Sequence, residues 1–495
     1  MALDAEAVKW KIKAPHQFFI DGRWVQPSTS KQIEVINPTT EMPILRVAEA
    51  SEKDVDLAVA AARKAFDEGP WPYMSPDERA GYMMKLVAEL RKRETELVHT
   101  WVDQVGAPLS LAQVITSGTI AMYEYYASLA KTFKWEEPRP TQYPGDYGLL
   151  VREPVGVVAA IAPWNAPFFT MANKVAPALI AGCTLIVKPS PETPADSYIL
   201  AECVEAAGFP AGVINLVTAD RQVSDYLVHQ RAVDKVSFTG SSAAGRRIAS
   251  VCGDRIARVT LELGGKSAAV VLDDYDIATA AANLAPSLCQ LSGQVCLNLT
   301  RILVPEKKHN DFVEAFAANL KTVRVGDPNL ADTQMGPLAM KRQLERVQGY
   351  VAKGKTEAQL VTGGSQPAHL NRGYFFEPTL FAKVDNSAVI AQEEIFGPVA
   401  CVTPYKDTKD AIRIANDSNF GLNGAVFTND VEQAYYVSRR MRTGTMGHNG
   451  SKPDFGIAFG GFKQSGIGRE GGPDAILPYL ETKTVVLNKA PKHLK

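Results

Sequence analysis

The sequence predicts an α/β protein in which parallel sheets with covered faces form two domains. From Val155 onward, short β-rich runs alternate with helical patterns. With Val157, Leu185, Val213, Val236 and Val259 as markers, successive runs lie 28, 28, 23 and 23 residues apart. This strand–helix–strand spacing is typical of parallel sheets of the dinucleotide-binding, Rossmann-like kind. A second alternating block further along the chain predicts a second sheet of the same type.

The length and the net charge of the chain exclude several classes of protein. A chain of 495 residues with 46% hydrophobic and 22% charged residues is too long for one core, so at least two domains are expected. Its 53 basic and 54 acidic residues leave a net charge of −1, which argues against a basic nucleic-acid-binding domain and an acidic scaffold. The most apolar stretch covers 13 residues, 175–187, and contains Pro177 and Gly182, so no membrane span is expected.

Cysteine and histidine usage indicates a reducing compartment. The six cysteines, none in a Cys-x-x-Cys pair, cannot form a disulfide framework in so long a chain. The seven histidines lack His-x-x-x-His spacing, so no metal site is expected. Residues 1–9 show no basic segment followed by an apolar run. We therefore expect no signal peptide and a cytoplasmic protein.

The N-terminal part predicts a hairpin and two long helices. Phe18–Ile20 and Arg23–Val25 flank an Asp21-Gly22 turn, which is typical of a small β-hairpin. Ser75-Pro76-Asp77-Glu78 is a capping box with proline at the first helical position, so a helix should begin there. A second long helix is predicted over residues 111–133.

The two alternating blocks supply the predicted sheets. The first block has strands predicted at Val155–Ile161, Thr184–Val187, Val213–Val217, Val236–Phe238 and Val259–Leu261, with helices at Ala195–Ala207 and Ser242–Val251. The second has strands predicted at Ser267–Leu272, Ile302–Val304, Val399–Val402 and Val426–Phe427, with helices at Ile277–Leu288, Asp311–Leu320, Asp410–Ala415 and Val431–Arg440.

Two short β-rich pieces fall outside both blocks, at 132–152 and 481–488. Strands that belong to neither core often pair across a subunit interface. An ordinary edge strand of a neighbouring sheet explains the same pattern equally well.

Ligands of open parallel sheets bind beyond the carboxyl ends of the strands. In the first block, the segments at those ends are Ala162–Asn165, Lys188–Ser190, Thr218–Asp220, Thr239–Ser241 and Glu262–Lys266. We expect them to cluster at one edge of the sheet.

Three features at this edge are candidates for binding or catalysis, and each also has a commoner structural explanation. Gly240–Gly245 lies between a strand and a helix and can receive a phosphate, although a plain βα turn has the same composition. Lys188 can bind a ribose hydroxyl or a phosphate, although most lysines at strand ends are solvated. The Asn165 amide can donate to an oxyanion, although asparagine is also a common turn residue.

A nucleophile and a base are the remaining candidates. Cys296 lies in the flexible Ser292–Leu297 stretch, and Cys289, at a helix end, competes with it. Most free cysteines are small buried hydrophobic residues, but a loop position favours reactivity. Glu262 ends a β-run and enters Gly264-Gly265, so it is the candidate base, or else an exposed strand-end carboxylate.

Six motifs together resemble the aldehyde dehydrogenase superfamily over nearly the whole chain. They occur in the family's order, and Glu262 and Cys296 are 34 residues apart, as in the classical hydrolytic, NAD(P)-dependent branch. The matching stretches are Pro163-Trp164-Asn165, Phe238–Ser241, Glu262–Lys266, Gly293–Cys296, Glu393–Pro398 and Phe459–Glu470.

This resemblance implies a mechanism. Cys296, as a thiolate, would attack the aldehyde, and the Asn165 side chain with the Cys296 backbone N–H would hold the oxyanion. After hydride transfer, Glu262 would activate water to hydrolyse the thioester. Lys174 and Glu470 match positions implicated in relaying protons to that base.

The resemblance also implies NAD as cofactor, with NADP left open. Many NAD-preferring members carry Lys-Pro-Ser-Glu, whereas here Pro191 follows Ser190 and Glu192 comes one place later. The usual glycine-rich turn is replaced by Thr218–Arg221, in which Asp220 would disfavour a phosphate and Arg221 would welcome one. The implied cofactor residues are Ile161, Trp164, Lys188, Ser190, Gly240, Ser241, Gly245, Leu263, Glu394 and Phe396.

The substrate tunnel implied by the resemblance is mainly apolar and lacks an arginine for a second carboxylate. Ala166 and Asn173 are smaller than the aromatic residues common at those places, which favours a medium or long aliphatic, terpenoid or aromatic aldehyde. The positions that match the tunnel lining are Phe169, Thr170, Asn173, Val295, Leu297 and Phe459.

The implied organisation is an NAD-binding domain (1–131 and 153–263), a catalytic domain (264–475) and an oligomerisation element (132–152 and 476–495) in a homodimer or homotetramer. The alternatives are a semialdehyde dehydrogenase, either CoA-acylating or acting on an acid substrate, and a catalytically silent, crystallin-like relative.

Overall fold

A computed structural model of the chain describes residues 9–492. Most of the segment in which no signal peptide was predicted, and the outermost residues of the first and last predicted domains, lie outside this range. The α/β class predicted from the alternating pattern is confirmed. Among the described residues, no helix is long and apolar enough to cross a membrane.

The strands, numbered in chain order, are β1 (Phe18–Ile20), β2 (Arg23–Val25), β3 (Gln32–Ile36), β4 (Pro43–Ala48), β5 (Glu136–Arg139), β6 (Tyr147–Pro154), β7 (Val157–Ile161), β8 (Thr184–Lys188), β9 (Ile214–Leu216), β10 (Lys235–Thr239), β11 (Arg258–Glu262), β12 (Ala268–Val271), β13 (Arg301–Pro305), β14 (Gln359–Thr362), β15 (Thr379–Ala382), β16 (Val399–Tyr405), β17 (Asn423–Phe427), β18 (Thr445–His448), β19 (Gly466–Ile467) and β20 (Leu480–Leu487).

The α-helices are α1 (Glu52–Asp67), α2 (Pro76–Lys92), α3 (Glu94–Val105), α4 (Leu109–Ser128), α5 (Pro167–Ala181), α6 (Ala195–Ala206), α7 (Arg221–His229), α8 (Ser242–Asp254), α9 (Ile277–Cys289), α10 (His309–Lys321), α11 (Lys341–Glu357), α12 (Val389–Gln392), α13 (Thr408–Asn416) and α14 (Val431–Ser438). Short 3₁₀ turns occur at Trp71–Tyr73, Leu129–Lys131, Gln290–Gly293, Glu306–Lys308, Lys463–Ser465 and Pro473–Tyr479.

The first sheet has the strand order β19-β11-β10-β7-β8-β9-β1-β2. Its five central strands, β11 to β9, are parallel, and the predicted N-terminal hairpin β1-β2 extends one edge antiparallel. Apolar side chains on both faces pack under helices, so most residues of the central strands are buried, although Arg258 at the start of β11 is exposed. Their carboxyl ends therefore meet at one edge, where the sequence placed the candidate ligand-binding segments.

The second sheet has the order β14-β15-β16-β13-β12-β17-β18 and is parallel except for β14. Two smaller antiparallel sheets complete the fold, β20-β6-β5 and β3-β4. The two β-rich pieces predicted outside both blocks thus pair with each other, and neither is an edge strand of a large sheet.

Several elements differ from the sequence prediction. The capping box forms as expected, with Ser75 Oγ accepting from Glu78 N–H. The helix predicted over residues 111–133 ends earlier, at Ser128, and a 3₁₀ turn follows it. β19, from the segment predicted for the second domain, joins the first sheet because Gly466 pairs with Glu262 at the edge of β11. The pairing anchors the segment that follows it beside Glu262.

Candidate active site

A cleft of about 470 Å³ opens at the carboxyl edge of the first sheet. This volume is within the range of small-molecule sites. Predicted site residues from both sheets line it, namely Trp164, Asn165, Thr170, Gly240, Ser241, Leu263, Cys296, Glu394 and Phe396. The cleft also exposes Pro163, Thr239, Gly264, Arg342, Gln343 and Arg346. Residues from three of the five strand-end segments, 162–165, 239–241 and 262–266, therefore meet at this cleft.

Cys296 lies on a strained loop between α9 and β13. Leu291, Ser292 and Gly293 all adopt left-handed backbone conformations, with φ of 50°, 56° and 74°. A Cβ at Gly293 would lie 2.2 Å from the carbonyl oxygen of Gly397, so the loop packs directly on the Glu393–Pro398 segment. Only glycine fits both the backbone angle and the contact. The loop is thus held in one shape against the second sheet.

The cysteine inventory separates Cys296 from its competitor. All six cysteines are free, and Cys296 is half-buried while the other five, including Cys289, are buried. Burial, followed by the carboxylates of Glu394 and Glu262, raises the pKa of the Cys296 thiol to about 12. In this structure the sulfur is therefore a thiol, and a base must take its proton when it reacts.

Asn165 precedes α5 and is fixed on two sides. Its Nδ2 donates to the carbonyl of Gln294 at 2.9 Å, and its own carbonyl accepts from Trp101 Nε1 at 2.8 Å. One N–H of the amide is committed to the cysteine loop, and the side chain, although 9% exposed, lines the cleft. The second N–H is free to donate to an oxygen near Cys296.

Glu262 ends β11 and lies behind the cleft, only 4% exposed. Neither of its carboxylate oxygens has a hydrogen-bond partner within residues 9–492. Burial, with a smaller contribution from Glu470, raises its pKa well above 4.5. Gly460 packs over it so closely that a Cβ there would lie 2.7 Å from Oε1. Glu262 is thus a buried carboxyl group that holds a proton more tightly than a solvated one.

Lys174 and Glu470 form a buried ion pair beside Glu262. Lys174 Nζ lies 2.6 Å from Glu470 and 2.6 Å from Thr239 Oγ1. Glu470 reaches the pair because its backbone bridges Phe459 in both directions, at 2.7 and 2.6 Å. These contacts bring together the end of β10, helix α5 and the C-terminal motif.

The dinucleotide side of the cleft is built from strand ends and a helix N-terminus. Ser241 caps the 13-residue helix α8 by accepting from Ala244 N–H, so the positive end of that helix faces the cleft. Gly245 lies in the same helix, where a Cβ would meet Leu263 at 2.5 Å. This geometry fits a pyrophosphate, which prefers a helix N-terminus.

Glu394 and Phe396 form the opposite wall. Glu394 accepts from Gly265 N–H at 2.8 Å, and burial raises its pKa to about 7. Phe396 has φ of 62°, and its ring lies 5.3 Å from the Trp164 ring at 87°. Two aromatic rings and a carboxylate facing a helix N-terminus are a suitable lining for a nicotinamide ribose.

At the far end of the cofactor edge, Lys188 is buried and its neighbour Ile161 pairs with it in the sheet. Burial lowers the pKa of Lys188 to about 8, which Glu192 and Asp220 oppose. Glu192 also accepts from the Ser190 hydroxyl and pairs with Arg342 at 2.5 Å. A carboxylate therefore lies at this edge despite its one-place shift in sequence.

The sequence predicts that Arg221 would welcome a 2′-phosphate and that its neighbour Asp220 would disfavour one. The structure uses Asp220 as the N-cap of α7, where its side chain accepts from Val223 N–H, and both residues are exposed.

The predicted substrate residues divide into two groups. Thr170 lines the cleft and Val295 and Leu297 flank Cys296 as half-buried residues. Phe169 and Phe459 both contact Phe455, at ring distances of 4.8 and 4.6 Å. Asn173, by contrast, is 1% exposed and its Nδ2 donates to Phe169 O, so it packs beneath the lining.

Sequence reasoning missed the residues that hold the cleft wall formed by Glu394 and Phe396 in place. Gln343 Nε2 donates to Phe396 O at 2.6 Å and Arg346 to Glu394 O at 2.5 Å, both from the first turns of α11. Arg342 and Arg346, four residues apart, share one helix face, and that spacing was the available signal. Phe455 and Trp101 carried no signal beyond their aromatic character. Among residues 9–492, no cluster of three or more His, Cys, Asp or Glu side chains is placed to hold a metal.

Comparison with known proteins gives a consistent result. Residues 24–485 match the model of the aldehyde dehydrogenase family. The chain is 43% identical over 474 residues to geranial dehydrogenase of Castellaniella defragrans, covering 95% of this chain and 99% of that one. It superimposes on an aldehyde dehydrogenase of Mycobacterium tuberculosis complexed with NAD⁺, with a TM-score of 0.92, 42% identity and coverage of 96% and 98%. It also superimposes on a cysteine-to-alanine mutant of aldehyde dehydrogenase C from Pseudomonas syringae, complexed with NAD⁺ and octanal. The TM-score is 0.93 and the identity 36%, and the match covers 97% of this chain and 99% of that one.

Proposed function

The chain belongs to the aldehyde dehydrogenase family and oxidises aldehydes to acids with NAD⁺, and we propose that its substrates are hydrophobic aldehydes that react at Cys296. The observation that carries this proposal is one cleft lined by a half-buried cysteine and a fixed amide, with a buried carboxyl group behind it that has no hydrogen-bond partner within residues 9–492. Phe169 and Phe459, which match the family's substrate tunnel, both contact the Phe455 ring.

In the first half-reaction, the Cys296 sulfur bonds to the aldehyde carbon and its thiol proton passes to a base. That base is solvent water in the open cleft, so the thiol proton leaves the site and Glu262 remains available for the second half-reaction. The carbonyl oxygen becomes an oxyanion, which accepts from the free N–H of Asn165 and the backbone N–H of Cys296. Because these donors are held before charge develops, they stabilise the transition state more than the substrate.

NAD⁺, when bound, would supply the acceptor for the hydride of the aldehyde carbon. Gly240, Ser241 and the N-terminus of α8 would hold its pyrophosphate, and Glu394 and Phe396 its nicotinamide side. Lys188 and Ser190, with Ile161, Trp164, Gly245 and Leu263, would complete the site. Glu192 supports a preference for NAD⁺, since its carboxylate would repel a 2′-phosphate.

In the second half-reaction, Glu262 takes a proton from water as the water oxygen attacks the thioester carbonyl. The C–S bond then breaks and the acid leaves. Lys174 and Glu470 are placed to pass the proton on, because their ion pair lies beside Glu262. The presence of this base also argues against a CoA-acylating enzyme, in which CoA and not water would resolve the thioester.

The substrate class follows from the lining. Phe169, Phe455 and Phe459 form an aromatic cluster, and Val295 and Leu297 flank the cysteine. The names of two similar proteins, which act on geranial or bind octanal, support long or terpenoid aldehydes for this chain. We propose that the enzyme is cytoplasmic and forms a homodimer or homotetramer.

A panel of aldehydes of graded length and branching tests this proposal. We expect kcat/KM with NAD⁺ to rise by about tenfold for every two methylene groups until the pocket is filled, since each buried CH₂ contributes about 0.8 kcal/mol. Succinic semialdehyde is the contrasting substrate, and the same assays with NADP⁺ and with CoA test the alternatives. A preference for the acidic semialdehyde, or a strict need for CoA, would contradict the proposal.

Replacing the nucleophile provides the second test. Cys296→Ala should abolish NADH formation and leave NAD⁺ binding, measured by calorimetry, unchanged. Cys289→Ala is the matched control, with normal turnover expected. Normal turnover in Cys296→Ala would assign the nucleophile elsewhere.

A further inference from the structure

The segment between β8 and α6 faces the first turn of α11 at the cofactor edge, and one ion pair joins them. Glu192 of that segment lies 2.5 Å from the guanidinium of Arg342, measured from Oε1 to Nη2. The segment follows a strand of the first sheet, whereas α11 packs on the second sheet through Val347 and Val351. The pair therefore spans the cleft, whose lining includes Arg342.

The Glu192 carboxylate is held from two sides. Ser190 Oγ donates to Oε2, and Arg342 donates to Oε1. The charge of Glu192 also reaches Lys188, the buried residue at the end of β8, because Glu192 opposes the fall in the pKa of that lysine. Two donors on different oxygens fix the orientation of the carboxylate, and Arg342 is the donor that comes from the other side of the cleft.

Arg342 differs from Arg346, a second arginine that lines the cleft. Arg346 donates to the backbone carbonyls of Glu394 and Ile395, so its guanidinium supports the nicotinamide wall. Arg342 instead contacts a side-chain carboxylate, and 65% of its side chain is exposed. An ion pair this exposed adds little to stability, so another anion can take the place of the carboxylate.

The first turn of α11 favours an anion at this place. It contains Lys341 and Arg342 and no acidic residue, and Met340 at the N-cap has no polar side chain. The N-terminus of a helix carries a partial positive charge, so cations there are unfavourable and anions are attracted. Glu192 supplies such an anion from across the cleft, and a phosphate group meets the same requirement.

We infer that Arg342 determines which cofactor the adenosine end of the cleft accepts. This inference rests on the proposed function, which places the dinucleotide at this edge. With NAD⁺, Arg342 is a positioning residue, because it holds the Glu192 carboxylate where the ribose hydroxyls can donate to it. With NADP⁺, the 2′-phosphate takes the guanidinium from Glu192, since phosphate and arginine form a bidentate, charge-assisted pair. The enzyme should therefore use both cofactors, with NAD⁺ preferred and the margin set by this ion pair.

Two nucleotide fragments test the adenosine end alone. AMP carries a free 2′-hydroxyl and 2′,5′-ADP carries the 2′-phosphate, and calorimetry on the complete enzyme gives the affinity of each without any aldehyde. Arg342→Met keeps an apolar stem and removes the guanidinium. We expect it to weaken 2′,5′-ADP binding about tenfold and AMP binding less than about threefold, since only the phosphate loses a charge-assisted partner.

Glu192→Gln should act in the opposite direction. It keeps the shape of the side chain and releases the guanidinium, so we expect 2′,5′-ADP binding to strengthen about tenfold and AMP binding to weaken. Combining it with Arg342→Met should remove that gain, because the phosphate then has no released partner. Combining it with Arg342→Lys, which keeps the charge, should retain most of the gain. The ratio of kcat/KM for NADP⁺ to that for NAD⁺ should follow the same order.

Lys341→Met is the matched control, because it removes the same charge from the neighbouring exposed position in the same helical turn. Both affinities should stay within about twofold of those of the parent enzyme, since solvent and salt screen a charge that does not contact the nucleotide.

An Arg342→Met variant whose two affinities match those of the parent enzyme, or fall equally, would overturn the inference. A gain in 2′,5′-ADP binding that survives in the double variant with Arg342→Met would also overturn it, as would an equal loss in Lys341→Met. These measurements do not involve Cys296. A failure of the proposed chemistry is therefore seen separately, as a parent enzyme that binds NAD⁺ and forms no NADH from any aldehyde.

Discussion

Cys296 is half-buried in a cleft whose nearest carboxyl groups, Glu394 and Glu262, disfavour a thiolate. The raised pKa explains how a reactive residue can stay unreactive between turnovers, since the thiol is a weak nucleophile. Glu262 is buried under Gly460, and burial raises its pKa, so its carboxylate is a stronger base than a solvated one. At the scale of single residues, burial thus sets the protonation state of both groups.

The thiol state of Cys296 can be measured by alkylation. Because its pKa is raised to about 12, the iodoacetamide reaction of the cofactor-free enzyme should rise about tenfold per pH unit from about pH 7 to 10. Peptide mass spectrometry identifies the labelled site, and the five buried cysteines serve as internal controls. A rate that levels off below about pH 8 would contradict this expectation.

Glu262→Gln should separate hydride transfer from hydrolysis. The variant lacks the base for water, so we expect one burst of NADH followed by turnover reduced by about 10²–10³-fold. Steady-state rates equal to those of the parent enzyme would remove Glu262 from its role.

The same variant should change stability with a defined sign. The folded pKa of Glu262 is raised, so above about pH 4.5 the folded protein binds a proton that the unfolded chain has lost. Ionising this group therefore destabilises the fold progressively as pH rises through the folded pKa. Glu262→Gln removes that cost, and its gain in melting temperature should be larger at about pH 9 than at about pH 5. A gain that shrinks with rising pH would contradict the sign.

At the scale of elements, the cysteine loop depends on contacts with the Glu393–Pro398 segment, which α11 holds from behind. The left-handed run through Gly293 ends just before Cys296, so any change in its path moves the sulfur. Phe396 also has a positive φ, and Gln343 accounts for it by binding the Phe396 carbonyl. Strain at these two places is compensated by packing between elements.

Gly293→Ala tests this dependence. A Cβ would strain a φ of 74° and lie 2.2 Å from Gly397, so we expect a loss of about 2–4 kcal/mol in stability and activity reduced at least tenfold. Gly253→Ala, at a glycine with open space in α8, is the matched control and should be neutral or stabilising by up to about 1 kcal/mol. Thermal melts and kcat/KM measure both effects.

The elements show which parts of the fold the sequence could predict. Alternation and capping located most strands and helices, because the signals for β7, β8 and α2 are local. The pairing of β19 with β11 was missed, since it joins residues about 200 positions apart and depends on a two-residue strand. The helix α11 was also missed, and its hydrogen bonds to the Glu394 and Phe396 carbonyls join residues about 50 positions apart. The motif match supplied the site residues, but the burial of Asn173 and the capping role of Asp220 needed coordinates.

At the scale of the whole molecule, the small β20-β6-β5 sheet stands apart from both large sheets. Most of β20 is exposed, including apolar Val486 and Leu487 at 46% and 36%. Its outer strands leave backbone N–H and C=O groups unpaired at both edges, which is a template for pairing with another chain. A three-stranded sheet with so little burial in one chain favours burial between chains.

Charged substitution at this sheet tests whether it joins subunits. The chain has a mass of 53.7 kDa, so light scattering on a size-exclusion column distinguishes one chain from two or four. The double variant Val486→Glu and Leu487→Glu should weaken association by about 100-fold or more, since burying an unpaired carboxylate costs at least about 2–3 kcal/mol. Val431→Glu places one such charge at a more accessible valine on α14, 64% exposed, and should leave the mass unchanged. A double variant that keeps the parent mass would assign the subunit contact to another surface. A parent enzyme that runs as a single chain at micromolar concentration would show that no subunit contact forms. Since β6 leads directly into β7 of the first sheet, a dimer built here would also couple the subunit contact to the strand ends that form the cleft.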